Sequence, residues 1–334
     1  MREGRGFLSR RALMLNVVAG SLASTARGAP FIPGDLMFPQ TFDAAFAASH
    51  DALRAMGHGD PAPSQRQYSR RGDEALSNPV SPPIVGHDSI ATETARVAAG
   101  LSGGFETFDF EEVVRVVTPD LGYVLGFERA MVRRVGSDAA TLMALRVTTV
   151  FRREPDGWKL LLRFADRNGI DGVRPDRSNV GGLPPLESST GETIPTPDFD
   201  TAAVTVNQQV QRLVPVIAKQ PPAEFQRLGS IWSHRDDVTL ANPLGPPVVG
   251  WANIRREAWA VAANYTGEAT MAFEELTRVV TPDLGFTLGY ERIKVRQPGS
   301  DEATSLDLRL VTIYRREEDG WKRVLRHADR LPAA

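Results

Sequence analysis

Arg-Val-Val-Thr-Pro-Asp-Leu-Gly occupies Arg115–Gly122 and returns, letter for letter, at Arg278–Gly285. Working outward from this string, Phe110–Arg167 aligns with Phe273–Arg330 without a gap, and 37 of the 58 positions are identical. Both copies carry Glu-Arg (Glu128-Arg129, Glu291-Arg292), Gly-Ser-Asp (Gly136–Asp138, Gly299–Asp301), Asp-Gly-Trp-Lys (Asp156–Lys159, Asp319–Lys322) and a closing Ala-Asp-Arg. Segments this alike share one fold. The period is far too long for a solenoid, so the chain holds two duplicated domains, and the mismatches between them become the clue to function.

Within each copy the apolar spacing changes from helical to alternating. Thr41–Met56 places Phe42, Ala45, Phe46, Leu53 and Met56 at helical intervals, and Asp200–Lys219 does so with Val204, Val210, Leu213 and Ile217. A second, shorter helix follows, started in the C-terminal copy by Pro221-Pro222. A short strand then runs into Asn-Pro (Glu74–Asn78, Val238–Asn242), and a Pro-Pro-x-Val-Gly turn leads into a third helix, Ser89–Ala99 or Asn253–Ala263. Beyond it the period is two. Four strands are predicted near Glu106–Val117, Tyr123–Arg134, Thr141–Arg153 and Trp158–Asp166, joined by short turns that force antiparallel neighbours. Helices packed on such a meander make an α+β domain.

The flanking segments read differently. Arg2, Arg5, Arg10 and Arg11 precede a modest apolar stretch, Ala12–Leu22, and small residues at Ser24-Thr25-Ala26. That is the layout of a signal peptide over residues 1–29, and Ser9-Arg10-Arg11-Ala12-Leu13 resembles a twin-arginine export signal, pointing to a periplasmic or secreted protein. A disordered cytosolic tail is the alternative. Residues 168–197 hold five Gly and five Pro with no apolar period, which predicts a linker between domains at 40–167 and 198–330.

Composition excludes several function classes. The net charge of −2 gives no footprint for nucleic acid, and the absence of cysteine removes disulfides, thiolate metal sites and a cysteine nucleophile. No stretch reaches the 18 or so apolar residues of a membrane span. No His-x-x-x-His cluster, dinucleotide or phosphate-binding loop or Gly-x-Ser-x-Gly motif occurs, so no metal and no cofactor is expected.

Several strings resemble the SnoaL-like polyketide cyclases, relatives of ketosteroid isomerases within the nuclear-transport-factor-2-like superfamily. They are Pro-Pro-Val-Val-Gly-x-x-x-Ile (Pro246–Ile254), Leu-Arg-x-x-Thr (Leu308–Thr312) and Arg-Arg-Glu-x-Asp-Gly-Trp-Lys…Arg-His-Ala-Asp (Arg315–Asp329). The resemblance implies two tandem cone-shaped domains, each a curved antiparallel sheet wrapped on a helix with an apolar pocket at one end. It also implies that the two cones pair through the outer faces of their sheets as an intramolecular pseudo-dimer. Isomerases, cyclases, dehydratases and plain binders all use this fold, so it does not fix function.

Such a pocket does chemistry through one or two polar groups whose pKa values burial moves toward neutrality. In the C-terminal copy the candidates are His327, Asp237, His234 and Arg309 as catalytic groups, with Trp232, Glu291 and Asp329 lining the pocket. Trp321, Arg323, Leu325, His327 and Asp329 alternate along one strand, so a core Trp321 predicts that His327 and Asp329 continue inward toward the pocket mouth. His234 and His327 correspond to Arg70 and Phe164, whereas Asp237 and Asp329 match Asp73 and Asp166. This divergence predicts a division of labour: a polar C-terminal pocket beside a structural or ligand-binding N-terminal domain.

Each candidate also has a plainer reading. Asp237 is a turn or cap residue, Glu128 with Arg146 and Glu291 with Arg309 pair across the sheet, and His327 is a satisfied structural histidine. The expected function is therefore binding of a small apolar carbonyl compound, with proton transfer beside the carbonyl if it is catalytic. A non-catalytic periplasmic binding or assembly module is the alternative.

Overall fold

The computed structural model describes residues 38–167, 199, 229–243, 245–263, 269–296 and 302–331. The proposed signal peptide, the Gly/Pro-rich linker and the helix expected over Asp200–Lys219 lie outside the described residues.

The N-terminal repeat begins with α1 (Phe42–Gly57). Thr41 caps it by accepting a hydrogen bond from the Ala44 N–H, and Asp43 sits in the positive first turn. Its buried face carries Phe42, Ala45, Phe46, Ser49, Ala52 and Leu53, the stripe that the helical spacing predicts. The helix α2 (Ala62–Gln67), strands β1 (Ala75–Ser77) and β2 (Ile84–Val85) and helix α3 (His87–Ala99) follow. The meander is β3 (Leu101–Val117), β4 (Leu121–Arg134), β5 (Ala140–Glu154) and β6 (Gly157–Asp166). Phe42 packs edge-on against Phe151 and Trp158, with centroids 5.4 Å away in both cases. Each such buried ring contributes about 1.5–3 kcal/mol of burial, which is what seats the helix on the sheet.

The C-terminal repeat runs in the same order: β7 (Thr239–Ala241), β8 (Val248–Val249), α4 (Trp251–Ala263), β9 (Ala269–Val280), β10 (Leu284–Arg296), β11 (Ala303–Glu317) and β12 (Gly320–Arg330). The two sheets are separate, ordered β2-β1-β6-β5-β4-β3 and β8-β7-β12-β11-β10-β9. Registers coincide between repeats: Arg146 faces Asp166 as Arg309 faces Asp329, and Phe110 faces Glu128 as Phe273 faces Glu291. Phe199 stands against Tyr314 and Trp321 at 5.5 and 5.0 Å, where Phe42 stands in the first repeat.

In one respect the sheets differ from a purely antiparallel expectation. β1 pairs with β6, and β7 with β12, in parallel, because the chain passes through β2, a helix and three strands before it returns.

Both repeats also carry two β-bulges at matching places. One follows Glu112 and its counterpart Glu275, where Val113 and Leu276 are the extra residues opposite Gly126 and Gly289. A Cβ on Gly126 would collide with the Glu111 carbonyl, and one on Gly289 with that of Glu274, so only glycine lets the bent strand pass. The other sits in the last strand. Val150 faces Leu162 and Phe151 faces Leu160, which leaves Leu161 extra; likewise Ile313 faces Leu325 and Tyr314 faces Arg323, which leaves Val324 extra.

One extra residue reverses the alternation downstream of it. Trp321 and Arg323 point to the inner, helix-packed face. Past Val324 that face continues through Arg326 and Ala328, and Leu325, His327 and Asp329 turn to the outer face.

Candidate functional site

The outer faces of the two sheets meet, as the pseudo-dimer implied. Arg146 and Arg309 both lie at the centre of this contact and are the largest fully buried side chains among the described residues. Arg309 donates to the Ala165 carbonyl (3.0 Å), the Ser77 hydroxyl (2.9 Å) and the Asn78 carbonyl of the first repeat, and to Asp329 of its own (2.8 Å). Arg146 reciprocates, donating to the Asn242 carbonyl (2.8 Å), the Ala328 carbonyl (3.2 Å) and Asp166. The two guanidinium groups thus swap across an approximate two-fold axis, which is the signature of an isologous contact.

His327 belongs to this contact and not to a pocket mouth. Its Nε2 is 3.0 Å from Asp166 Oδ2 and 3.1 Å from Arg146 Nε, its Nδ1 is 2.8 Å from the Thr148 hydroxyl, and its ring meets Phe164 edge-on at 4.6 Å. All four neighbours belong to the first repeat. With its proton on Nε2 the ring donates to Asp166 and accepts from Thr148, and the Arg146 Nε–H then turns to Asp166 at 3.2 Å; with the proton on Nδ1 the ring donates to Thr148 and Nε2 accepts from Arg146. Burial, with the Arg146 charge beside it, lowers the imidazole to about 4, so it stays neutral. Burial pushes the Asp166 carboxyl up, but Arg146 and His327 outweigh it and hold the carboxyl below its ordinary value. Asp329 is raised, first by burial and then by the Asp166 charge. The Phe164/His327 mismatch has its own counterpart, since Thr148 of the first repeat corresponds to Val311 of the second. A polar pair thus faces an apolar pair across the pseudo-axis.

The remaining predicted residues divide between the surface and the inner face. Asp237 is gripped by Arg315 through both carboxylate oxygens (2.5 and 3.0 Å), and Asp73 is gripped by Arg152 in the same way at the same distances. A pair present in both repeats explains no asymmetry. His234 is exposed, lies flat on Trp251 at 4.5 Å and hydrogen-bonds the Gly229 carbonyl at 3.0 Å. Glu291 and Trp232 do face inward. Glu291 pairs with Arg326, which also donates to Asn242 Oδ1 at 2.6 Å. The first repeat keeps this triad as Glu128, Arg163 and Asn78, so Glu128 pairs with Arg163 and not with Arg146.

The inner faces diverge elsewhere. Val124, Phe151, Leu160 and Tyr68 of the first repeat are replaced by Thr287, Tyr314, Arg323 and Trp232 in the second, and all eight are buried. Arg323 and Tyr314 face each other across β12 and β11, and the Arg323 guanidinium lies 5.3 Å from the Trp232 ring centre. Arg323 has no carboxylate in ion-pair reach among the described residues. Its Nε, the Tyr314 hydroxyl and the Thr287 hydroxyl are buried side by side; none makes a well-aligned hydrogen bond to a described residue, and the phenol interacts with both Thr287 and Arg323. Burial raises the Tyr314 phenol, so it remains a protonated donor.

This group was visible in part from the sequence, since Arg323 shares the Trp321 face upstream of the bulge. The Tyr314 and Thr287 mismatches look like conservative drift until the fold brings them beside it.

No family model matches the chain, and no curated protein matches it. Solved structures resemble one repeat at a time. A nuclear transport factor 2-like family protein from Streptomyces avermitilis is 22% identical, with 41% of this chain and 100% of that one covered and a TM-score of 0.34. A ketosteroid isomerase-like protein from Erwinia carotovora atroseptica and a nuclear transport factor 2-like superfamily protein from Salmonella enterica each show 14% identity. For both, 40% of this chain and 94% of the other are covered, at a TM-score of 0.33. These are likenesses of fold.

Proposed function

We propose that the chain is an exported small-molecule-binding protein. Its ligand seat is the inner face of the C-terminal repeat, and its ligand is a small, mostly apolar compound with at least one carbonyl oxygen. The observation that carries this reading is the replacement of Val124, Phe151 and Leu160 by Thr287, Tyr314 and Arg323 on matched inner faces. The first repeat demonstrates that the fold is satisfied by apolar residues at these places. Three buried polar groups that have only one another as partners among the described residues cost stability, and a ligand that supplies acceptors would offset that cost.

Binding without turnover is the better supported form. The inner-face carboxylate Glu291 is already engaged by Arg326. His327 is enclosed between the repeats. The test is thermal: aromatic and alicyclic ketones and acids are screened for a rise in unfolding temperature, with a gain of about 2.7 kcal/mol expected at a hundredfold excess over Kd. Bound ketones are then incubated in deuterated water. Exchange of the hydrogens next to the carbonyl would restore the catalytic reading, and absence of any thermal response would remove the binding one.

Export rests on the arginine-led, weakly apolar N-terminus. Residues 1–30 fused to a reporter that must fold before transport should direct it to the periplasm, and Arg10-Arg11→Lys-Lys should stop it. Unchanged transport of the lysine variant would remove the twin-arginine route.

A further inference from the structure

Resting on the binding reading above, we infer that the C-terminal inner face is a carboxylate site, in which Arg323 takes the charge, Tyr314 and Thr287 donate to the carboxylate oxygens, and the aromatic neighbours take a flat or compact apolar body.

The charge balance points to this class. On the inner face Arg326 is already neutralised by Glu291, whereas Arg323 has no carboxylate beside it among the described residues. Among the described residues one cation is therefore left over, and one negative charge would balance it. A dianion such as phosphate would leave the site overcharged. A neutral carbonyl would leave the buried guanidinium uncompensated, which is the costlier arrangement.

Hydrogen-bond chemistry agrees. Guanidinium, phenol and the threonine hydroxyl can all donate, and a carboxylate offers about four acceptor positions on two oxygens. The neighbouring rings agree as well: Trp232 lies beneath the guanidinium and Phe199 stands edge-on to Tyr314 at 5.5 Å. A purely structural role for Arg323 is poorly motivated, because Leu160 fills the same position of the same fold.

The experiment uses the full chain and matched probes: benzoate, cyclohexanecarboxylate and hexanoate, each beside its own amide, in calorimetric titrations at pH 7. At least one acid should bind tenfold or more tightly than its amide. Arg323→Leu, which copies Leu160, should remain folded and lose that preference. Tyr314→Phe, which copies Phe151, should weaken the acid several-fold with little effect on the amide, and it carries the comparison if Arg323→Leu does not fold. If amides or ketones bind as well as the acids, the carboxylate assignment is wrong while the binding reading stands. An acid preference that survives both variants places the carboxylate elsewhere and overturns the site. If neither acids nor neutral carbonyl compounds bind, both the site and the binding reading fall.

Discussion

Arg309→Ala is expected to destabilise the chain by about 3–5 kcal/mol, the usual cost of stripping one member from a buried ion pair. The arginine is fully buried and serves three acceptors of the first repeat besides Asp329. Its loss leaves the Asp329 charge without its cation and takes a donor from the Asn78 and Ala165 carbonyls. Arg146→Ala should cost at least as much, because its carboxylate partner Asp166 is even more deeply buried than Asp329. In calorimetry the single cooperative transition should drop by roughly ten degrees and begin to separate into two, at about 2–4 °C per kcal/mol for a chain of this order of size. Arg309→Met combined with Asp329→Leu should cost less than Arg309→Ala alone, since it removes the stranded charge. A loss below about 1 kcal/mol for either alanine variant would mean that the outer-face contact contributes little to holding the repeats together.

The second large effect is with pH. Stability should fall as pH drops from about 6.5 to about 4, and His327 is one of two histidines that cause it. In the unfolded chain a histidine takes up its proton near pH 6.5, whereas in the native protein burial delays this to about 4. Between those values the unfolded state binds more protons, so acidification favours unfolding. The stabilising difference is fully present above the upper value and lost progressively toward the lower one, a change on the order of 3 kcal/mol.

The groups around the ring are Arg146, Asp166, Thr148 and Phe164, with the Arg309 charge adding to the depression. Asp166 titrates below its ordinary range and adds a further loss at still lower pH. His50, lowered to about 4 by burial and then by Arg54, acts in the same direction from the first repeat. His327→Gln separates the contributions, since the amide can donate to Asp166 and accept from Thr148 but does not titrate. Denaturant unfolding from pH 7 to pH 4.5 should show a shallower fall in that variant. Equal slopes would exclude His327 as the source.

These two expectations replace a pocket role for His327 with one at the junction of the repeats, and the reason lies in one residue. Strand alternation read from Trp321 correctly sends Arg323 inward, but Val324 is a bulge, and every side chain after it changes face. His327 and Asp329 are thereby delivered to the outer sheet face, and Arg326 is delivered to Glu291. Nothing local marks Val324 as the extra residue, because Arg-Val-Leu is an unbroken strand sequence. A bulge is fixed by how the neighbouring strand is paired. Similarly, Arg309 and Asp329 are legible as a cross-strand pair. That the same guanidinium also reaches Ser77, Asn78 and Ala165 requires two sheets to be docked.

What the sequence determined by itself is substantial: two copies of one α+β domain, the first helix over Thr41–Met56, the four-strand meander and its turns. These follow from local chemistry, and the repetition makes each reading count twice. The tertiary structure alone decided which polar residues share an inner sheet face and which share an interface. Bulges choose the face of each side chain, and the docking of the sheets sets Arg146, Asp166 and His327 together, although the histidine lies 161 residues from its carboxylate. Such groups meet only after the backbone between them has been ordered, so their proximity depends on the packing of the whole chain and on no window of its sequence.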